Sequence, residues 1–228
     1  MVAINRRSLL EGAVSISCTA LLHDSVVQRA AAAETHLASQ GELIPHMKWM
    51  NDPASWRVAN GQIIVRSRPK TDFWRKTFYG YITDNGHFFH LPAGAEFTFE
   101  ARIGGEYAAL YDQAGLMVRV DAENWVKCGT EFVDGERHAS VVFTRDFSDW
   151  STMKDLSAGG PVWWRAVRSK DSLETLCSLD GKRFQSVRQG FLVPDRPAEV
   201  GVMCAAPEGG GFECGFECAF DNLRLGGK

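Results

Sequence analysis

Cysteine is scarce in this chain, with six among 228 residues, and the few present are not spaced as metal ligands. No Cys-x-x-Cys and no Cys/His pairing at ligand spacing occurs, which argues against zinc. Long apolar runs are also missing. No stretch approaches the roughly 18 residues that would mark a membrane span. Basic charge is not in excess, since 25 Lys and Arg stand against 28 Asp and Glu, mixed along the chain. A net charge of -3 leaves no electrostatic footprint for nucleic acid. There is no Gly-x-Ser-x-Gly elbow and no phosphate loop; Gly209-Gly210-Gly211 has no following Lys and reads as a turn. His46, His87, His90 and His138 fall at no metal spacing and read as surface or hairpin residues. No cofactor is implied.

What is present is ordinary globular composition, 45% hydrophobic and 23% charged, enough for one sizeable core. The N-terminal residues differ from the rest. Asn5-Arg6-Arg7-Ser8-Leu9-Leu10 precedes a small, weakly apolar stretch, and Ala30 to Ala33 supplies an Ala-x-Ala cleavage site. The pattern resembles a twin-arginine export signal, so residues 1–33 are expected to be a leader and the protein periplasmic or extracellular. Residues 34–42, polar and small, read as a linker to a domain over 43–228. Removing the leader takes Cys18 and leaves Cys128, Cys177, Cys204, Cys214 and Cys218, an odd set that is not a disulfide framework. Cys214 and Cys218 are about 13 Å apart at strand rise, too far to bridge. A Cys204–Cys214 bridge across the Pro207–Gly211 turn stays open.

Period-two alternation dominates beyond the linker. Phe97, Phe99, Ala101 and Ile103 alternate with polar neighbours, as do Ala114, Leu116, Val118 and Val120 with Gln113, Gly115, Met117 and Arg119. Asn60-Gly61, Asn85-Gly86, Asp134-Gly135 and Asp180-Gly181 offer the positive φ angles of tight hairpins. No long helical period and no fixed repeat appears, so the expected fold is an all-β sandwich or barrel.

Several segments narrow this further: Met47-Lys48-Trp49-Met50-Asn51-Asp52-Pro53, Asp72-Phe73-Trp74-Arg75-Lys76-Thr77, Tyr111-Asp112-Gln113-Ala114-Gly115-Leu116-Met117, Trp125-Val126-Lys127-Cys128-Gly129-Thr130-Glu131 and Arg145-Asp146-Phe147-Ser148-Asp149-Trp150-Ser151. In that order they resemble domain-of-unknown-function family 1349, which includes the fungal regulation of enolase proteins. The resemblance covers residues 43 to 226. It implies a concanavalin-A-like jelly-roll β-sandwich of two antiparallel sheets, one curved into a groove that related folds use for glycans. It implies no activity.

Strand parity supplies candidate residues. With Leu116 and Val118 inward, Gln113, Gly115 and Met117 face out; with Val126 and Cys128 inward, Trp125, Lys127, Gly129 and Glu131 share the opposite face. An indole platform beside Gln113, Lys127 and Glu131 suits a sugar, with the two glycines leaving room above the sheet. A solvated sheet face reads the same way, with Lys127 paired to a cross-strand carboxylate. Asp72, Trp74, Asp112, Arg145, Asp149 and Trp150 are secondary candidates; loop stapling is the simpler reading for Trp74 and Trp150. Asp52, Asp112 or Asp149 would be the place for calcium, although no metal site is called. Three functional readings follow. The first is carbohydrate binding in the groove. The second is saccharide hydrolysis by Glu131 with an aspartate about 5 to 9 Å away. The third is a protein-interaction module.

Overall fold

Side chains that alternate in polarity settle into strands whose two faces see different surroundings, and here nearly every segment does so. The computed structural model describes residues 37–154, 159–209 and 215–227. The leader read over residues 1–33 lies outside the described residues, as does Cys214, so the Cys204–Cys214 bridge does too. The strands begin with β1 (Ala38–Ser39), β2 (Lys48–Met50), β3 (Ser55–Ala59), β4 (Gln62–Arg66), β5 (Phe73–Arg75) and β6 (Ile82–Asp84). They continue with β7 (His87–Ala93), β8 (Phe97–Gly105), β9 (Gln113–Arg119), β10 (Asn124–Val133), β11 (Glu136–Arg145) and β12 (Phe147–Lys154). The chain closes with β13 (Val162–Ser169), β14 (Ser172–Ser178), β15 (Gln185–Phe191), β16 (Ala198–Ala205) and β17 (Glu217–Gly227).

Two large sheets result. One runs β15-β14-β13-β8-β17-β4-β3 with β1 added against β17, and the other runs β12-β11-β10-β9-β16-β7-β2. Neighbouring strands pair antiparallel. In each sheet a late strand inserts between early ones, β17 between β8 and β4 and β16 between β9 and β7, so distant parts of the chain share each sheet. Phe99, Ile103, Trp164 and Phe220 of the first sheet meet Leu116, Val118, Phe143 and Val202 of the second in one buried cluster. Each such side chain contributes about 1.5–3 kcal/mol on burial, offset largely by the entropy of ordering the chain. Among the described residues no helix is long and apolar enough to cross a membrane.

Hairpin chemistry holds in part. Asn60-Gly61 and Asp134-Gly135 both take positive φ, at 52° and 72° and at 51° and 82°, and join β3 to β4 and β10 to β11. Asn85-Gly86 is different, for it joins β6 to β7, which do not pair. Its glycine serves close packing: a Cβ there would sit 2.3 Å from the Phe73 ring. The described residues of the segment expected as a linker, 37–42, pair and turn against the domain. Ala38 pairs with Leu225, and Gln40–Leu43 forms a helical turn closed by Ser39 and Glu42, with Leu43 buried. Its polar residues cap that turn, which is why composition alone suggested a linker.

Strands β5 and β6 pair only with each other. Phe73 and Trp74 of β5 pack on Phe88, Met117, Trp125, Val142 and Met203, which emerge from the outer face of the second sheet. The domain thus has a second, smaller apolar cluster, roofed by this two-stranded ribbon.

Candidate functional site

The outer face of the second sheet follows the expected parity. Leu116, Val118, Val126 and Cys128 belong to the inner core, whereas Met117 and Trp125 belong to the outer cluster. Register aligns Gln113 with Glu131, Gly115 with Gly129, and Met117 with Lys127. Across β10, Ser140 of β11 lies opposite Gly129 and Val142 opposite Lys127, while Trp150 of β12 lies opposite Val142. Period-two geometry therefore gathers Gln113, Lys127, Glu131, Ser140 and Trp150 on one surface drawn from four strands.

Trp125 shares that face but is no platform. Its indole is 1% exposed, with Phe73 edge-on at 6.2 Å, so the ribbon covers the surface a sugar would need. Lys127 is likewise engaged. Its ammonium donates to the Phe73 carbonyl at 2.8 Å and to Asp72 Oδ1 at 3.1 Å, and lies over the Trp125 ring. Gln113 Nε2 donates to the same Asp72 oxygen and to the Tyr111 carbonyl. The partner of Lys127 is thus a carboxylate of the roof and not of a neighbouring strand. The glycines also have a different cause from ligand access. A Cβ on Gly115 would lie 2.1 Å from the Cys128 carbonyl oxygen, and one on Gly129 would lie 2.2 Å from that of Ala114. Close approach of β9 and β10 requires both.

Glu131 is the polar centre. It is buried, and its Oε2 accepts from Ser140 Oγ at 2.6 Å and from the Trp150 indole nitrogen at 2.9 Å. No described residue donates to Oε1. Burial pushes the Glu131 carboxyl above its ordinary value, and Lys127, Ser140 and Trp150 pull the other way.

Aromatic rings complete a pocket of about 90 Å³ beside this carboxyl. Trp150, Tyr79 and Tyr81 line it and remain 41%, 45% and 47% exposed. Tyr79 and Tyr81 stack at 5.4 Å, and Trp74 meets Tyr79 edge-on while its own nitrogen donates to the Thr77 carbonyl. Trp74 therefore staples its turn and walls the pocket at once. Tyr111 sits at φ 66°, a left-handed conformation that costs a non-glycine residue, and meets Trp150 edge-on. Its hydroxyl shares a hydrogen bond with Tyr79, and its pKa is pushed up to about 12, chiefly by that bond and by burial. Asp72, Gln113, Lys127, Val142, Pro207 and Glu208 form the remaining lining.

The structure brings the candidates Gln113, Lys127 and Glu131 together with the secondary candidates Asp72, Trp74 and Trp150 around one cavity, a grouping the sequence did not make, and adds Tyr79, Tyr81, Tyr111 and Glu208, which it did not single out. A signal existed: the chain has four tyrosines, and three line this cavity. The other secondary candidates stand apart. Asp112 Oδ2 accepts from the amides of Ala108 and Ala109 and so ties a turn. Arg145 and Asp149 pair with each other on the exposed side of the β11–β12 hairpin. Among the described residues, no three His, Cys, Asp or Glu converge to hold a metal ion.

The fold and this surface define a concanavalin-A-like β-sandwich with an aromatic pocket on one sheet. Within that class, the chain belongs to the family described as Protein of unknown function (DUF1349), whose profile matches residues 49–226. It is 39% identical over 168 residues to Regulation of enolase protein 1 of Saccharomyces cerevisiae, covering 74% of this chain and 85% of that protein. The crystal structure of a functionally unknown protein from Saccharomyces cerevisiae superposes with a TM-score of 0.76 at 36% identity, over 81% of this chain and 98% of that one. The carbohydrate binding module CBM66 from Bacillus subtilis superposes with a TM-score of 0.51 at 12% identity, over 78% and 94% of the two chains, a likeness of fold alone.

Proposed function

We propose that this domain binds a saccharide in the pocket over β9–β12, beneath the β5–β6 ribbon. The observation that carries the reading is a buried carboxyl with one uncommitted oxygen, set among half-exposed aromatic rings. Sugar rings present an apolar C–H face and a polar rim, and such a site answers both. Trp150, Tyr79 and Tyr81 take the platform role that Trp125 cannot, and Glu131 accepts from a hydroxyl. A related fold that carries the name carbohydrate binding module is consistent with this use. The Arg6-Arg7 leader supports a protein that meets its glycan outside the cytoplasm. Fractionation of cells expressing the full chain, with and without Arg6→Lys and Arg7→Lys, tests that location. Retention of both forms in the cytosol would contradict it.

Binding is tested by thermal unfolding against a panel of mono- and oligosaccharides. Ligand at a hundred times its dissociation constant stabilises by about 2.7 kcal/mol. That raises the melting temperature by about 5–10 °C for a domain of this size. A panel with no member that moves the transition sinks the proposal.

One observation favours hydrolysis as a second reading. Burial moves the Glu131 pKa upward, the direction a general acid requires, and Asp72 shares the pocket. Glu131→Gln would then end turnover and leave binding in place. Turnover equal to wild type in that variant removes Glu131 from any mechanism.

A further inference from the structure

Charge around the pocket is unbalanced, and this bears on which sugar it takes. The inference rests on the saccharide reading and sharpens it. Three carboxyl groups line the cavity, those of Asp72, Glu131 and Glu208, against one lining cation, Lys127. The ammonium of Lys127 is spent on Asp72 Oδ1 and the Phe73 carbonyl, so it does not face an incoming ligand as a free charge. Glu208 has an exposed partner in Lys70 at 3.5 Å, a rim pair screened by solvent. Glu131 has no cation in contact, only neutral donors on Oε2. The carboxylates also act on the pocket phenols. Burial first, then Asp72, Tyr79 and Glu208, raise the pKa of Tyr81, and after the Tyr79 hydrogen bond and burial Glu131 adds to the rise at Tyr111. The rings of Trp74, Tyr79, Tyr81, Tyr111 and Trp150 line the same small volume, and a cation held over the face of any of them would be attracted by it.

We infer that the preferred ligand is a sugar bearing a free amine, with its ammonium against Glu131 Oε1 and the aromatic rings around it. An ammonium there supplies the contacting cation that the buried carboxyl lacks, adding to the through-space pull of Lys127, so the pair ionises together on binding. A neutral hydroxyl in the same place would donate a hydrogen bond but no charge, a weaker partner for a buried carboxylate.

Calorimetric titration of the purified protein with glucosamine, glucose, N-acetylglucosamine and choline, at one pH and ionic strength, decides the matter. Glucosamine is expected to bind at least about tenfold more tightly than glucose or N-acetylglucosamine, a difference of about 1.4 kcal/mol. Glu131→Gln should reduce that preference to less than about threefold while keeping a cooperative unfolding transition. Glu208→Gln, at the solvent-exposed rim, should lower it in the same direction and by less. Glucose or N-acetylglucosamine binding as tightly as glucosamine overturns the amine assignment and leaves the saccharide reading intact. Choline matching glucosamine overturns the assignment to a sugar. Failure of all four probes, together with a silent wider glycan panel, overturns both.

Discussion

Replacing either glycine of the facing pair on β9 and β10 should destabilise the domain severely, and the size of the effect follows from strand geometry. Gly115 and Gly129 are direct partners in the ladder. An added Cβ at Gly115 would stand 2.1 Å from the Cys128 carbonyl oxygen and 2.8 Å from the Gly129 Cα. At Gly129 the corresponding approaches are 2.2 Å to the Ala114 oxygen and 2.5 Å to the Gly115 Cα. Favourable non-bonded contact lies at about 3.5–4.0 Å, so a strand must move by an ångström or more. Both strands are interior to a seven-stranded sheet, with β11 on one side and β16 on the other, and every obstructing atom is backbone. Overpacking typically costs about 1–3 kcal/mol, and rigid surroundings place these sites at or above the upper end. For a domain of this size about 3 kcal/mol lowers the melting temperature by about 6–12 °C. Differential scanning calorimetry of Gly115→Ala and Gly129→Ala measures this directly. If the glycines instead keep space for a ligand, the variants would lose affinity at unchanged stability. A transition within about 2 °C of wild type for either variant would refute the steric account.

Three further outcomes follow from the same surface. Phe73→Ala should cost about 3–5 kcal/mol in urea unfolding, because it removes a fully buried ring from the outer cluster and uncovers Trp125; a loss below about 1 kcal/mol would show that the ribbon is not part of the core. Trp150→Ala should weaken saccharide binding more than tenfold yet lower stability by only about 1 kcal/mol, since its ring is 41% exposed. The pH profile tests Glu131, whose carboxyl is raised above its ordinary value of 4.5 by burial. A raised carboxyl favours the protonated fold, so its contribution is greatest below the unfolded value and is lost as pH climbs through the folded one. Glu131→Gln cannot ionise, so its stability relative to wild type should increase as pH rises above the ordinary value of 4.5. A pH-independent difference between the two would contradict the raised value.

The fold was legible because its cause is local. Alternation at Phe97–Ile103 and at Ala114–Val120 assigns each side chain to one face before any partner strand is known, and the inner core contains the residues so assigned. Sidedness on the outer face was legible for the same reason, which is how Gln113, Lys127 and Glu131 came to be grouped. What covers that face was not. Phe73 reaches Trp125 from 52 positions away in sequence, and Asp72 reaches Lys127 from 55, through a ribbon whose three-residue strands are too short to declare a period. Asp72 and Lys127 were each read as candidate ligand contacts, whereas they neutralise one another. Ser140 and Trp150 come to Glu131 through two successive hairpins, a placement that depends on register and not on residue type.

The ribbon's strand pairing, separate from the ladders of both large sheets, has a consequence for how such a site can change. Residues 72–86 bring Asp72, Trp74, Tyr79 and Tyr81 to the cavity on a segment whose strands, β5 and β6, pair only with each other. An altered sequence in that one loop would therefore redraw specificity while the scaffold's ladders, and the carboxyl fixed upon them, stayed as they are. Kin of this chain with different rings in the loop would be expected to choose different ligands from a common floor.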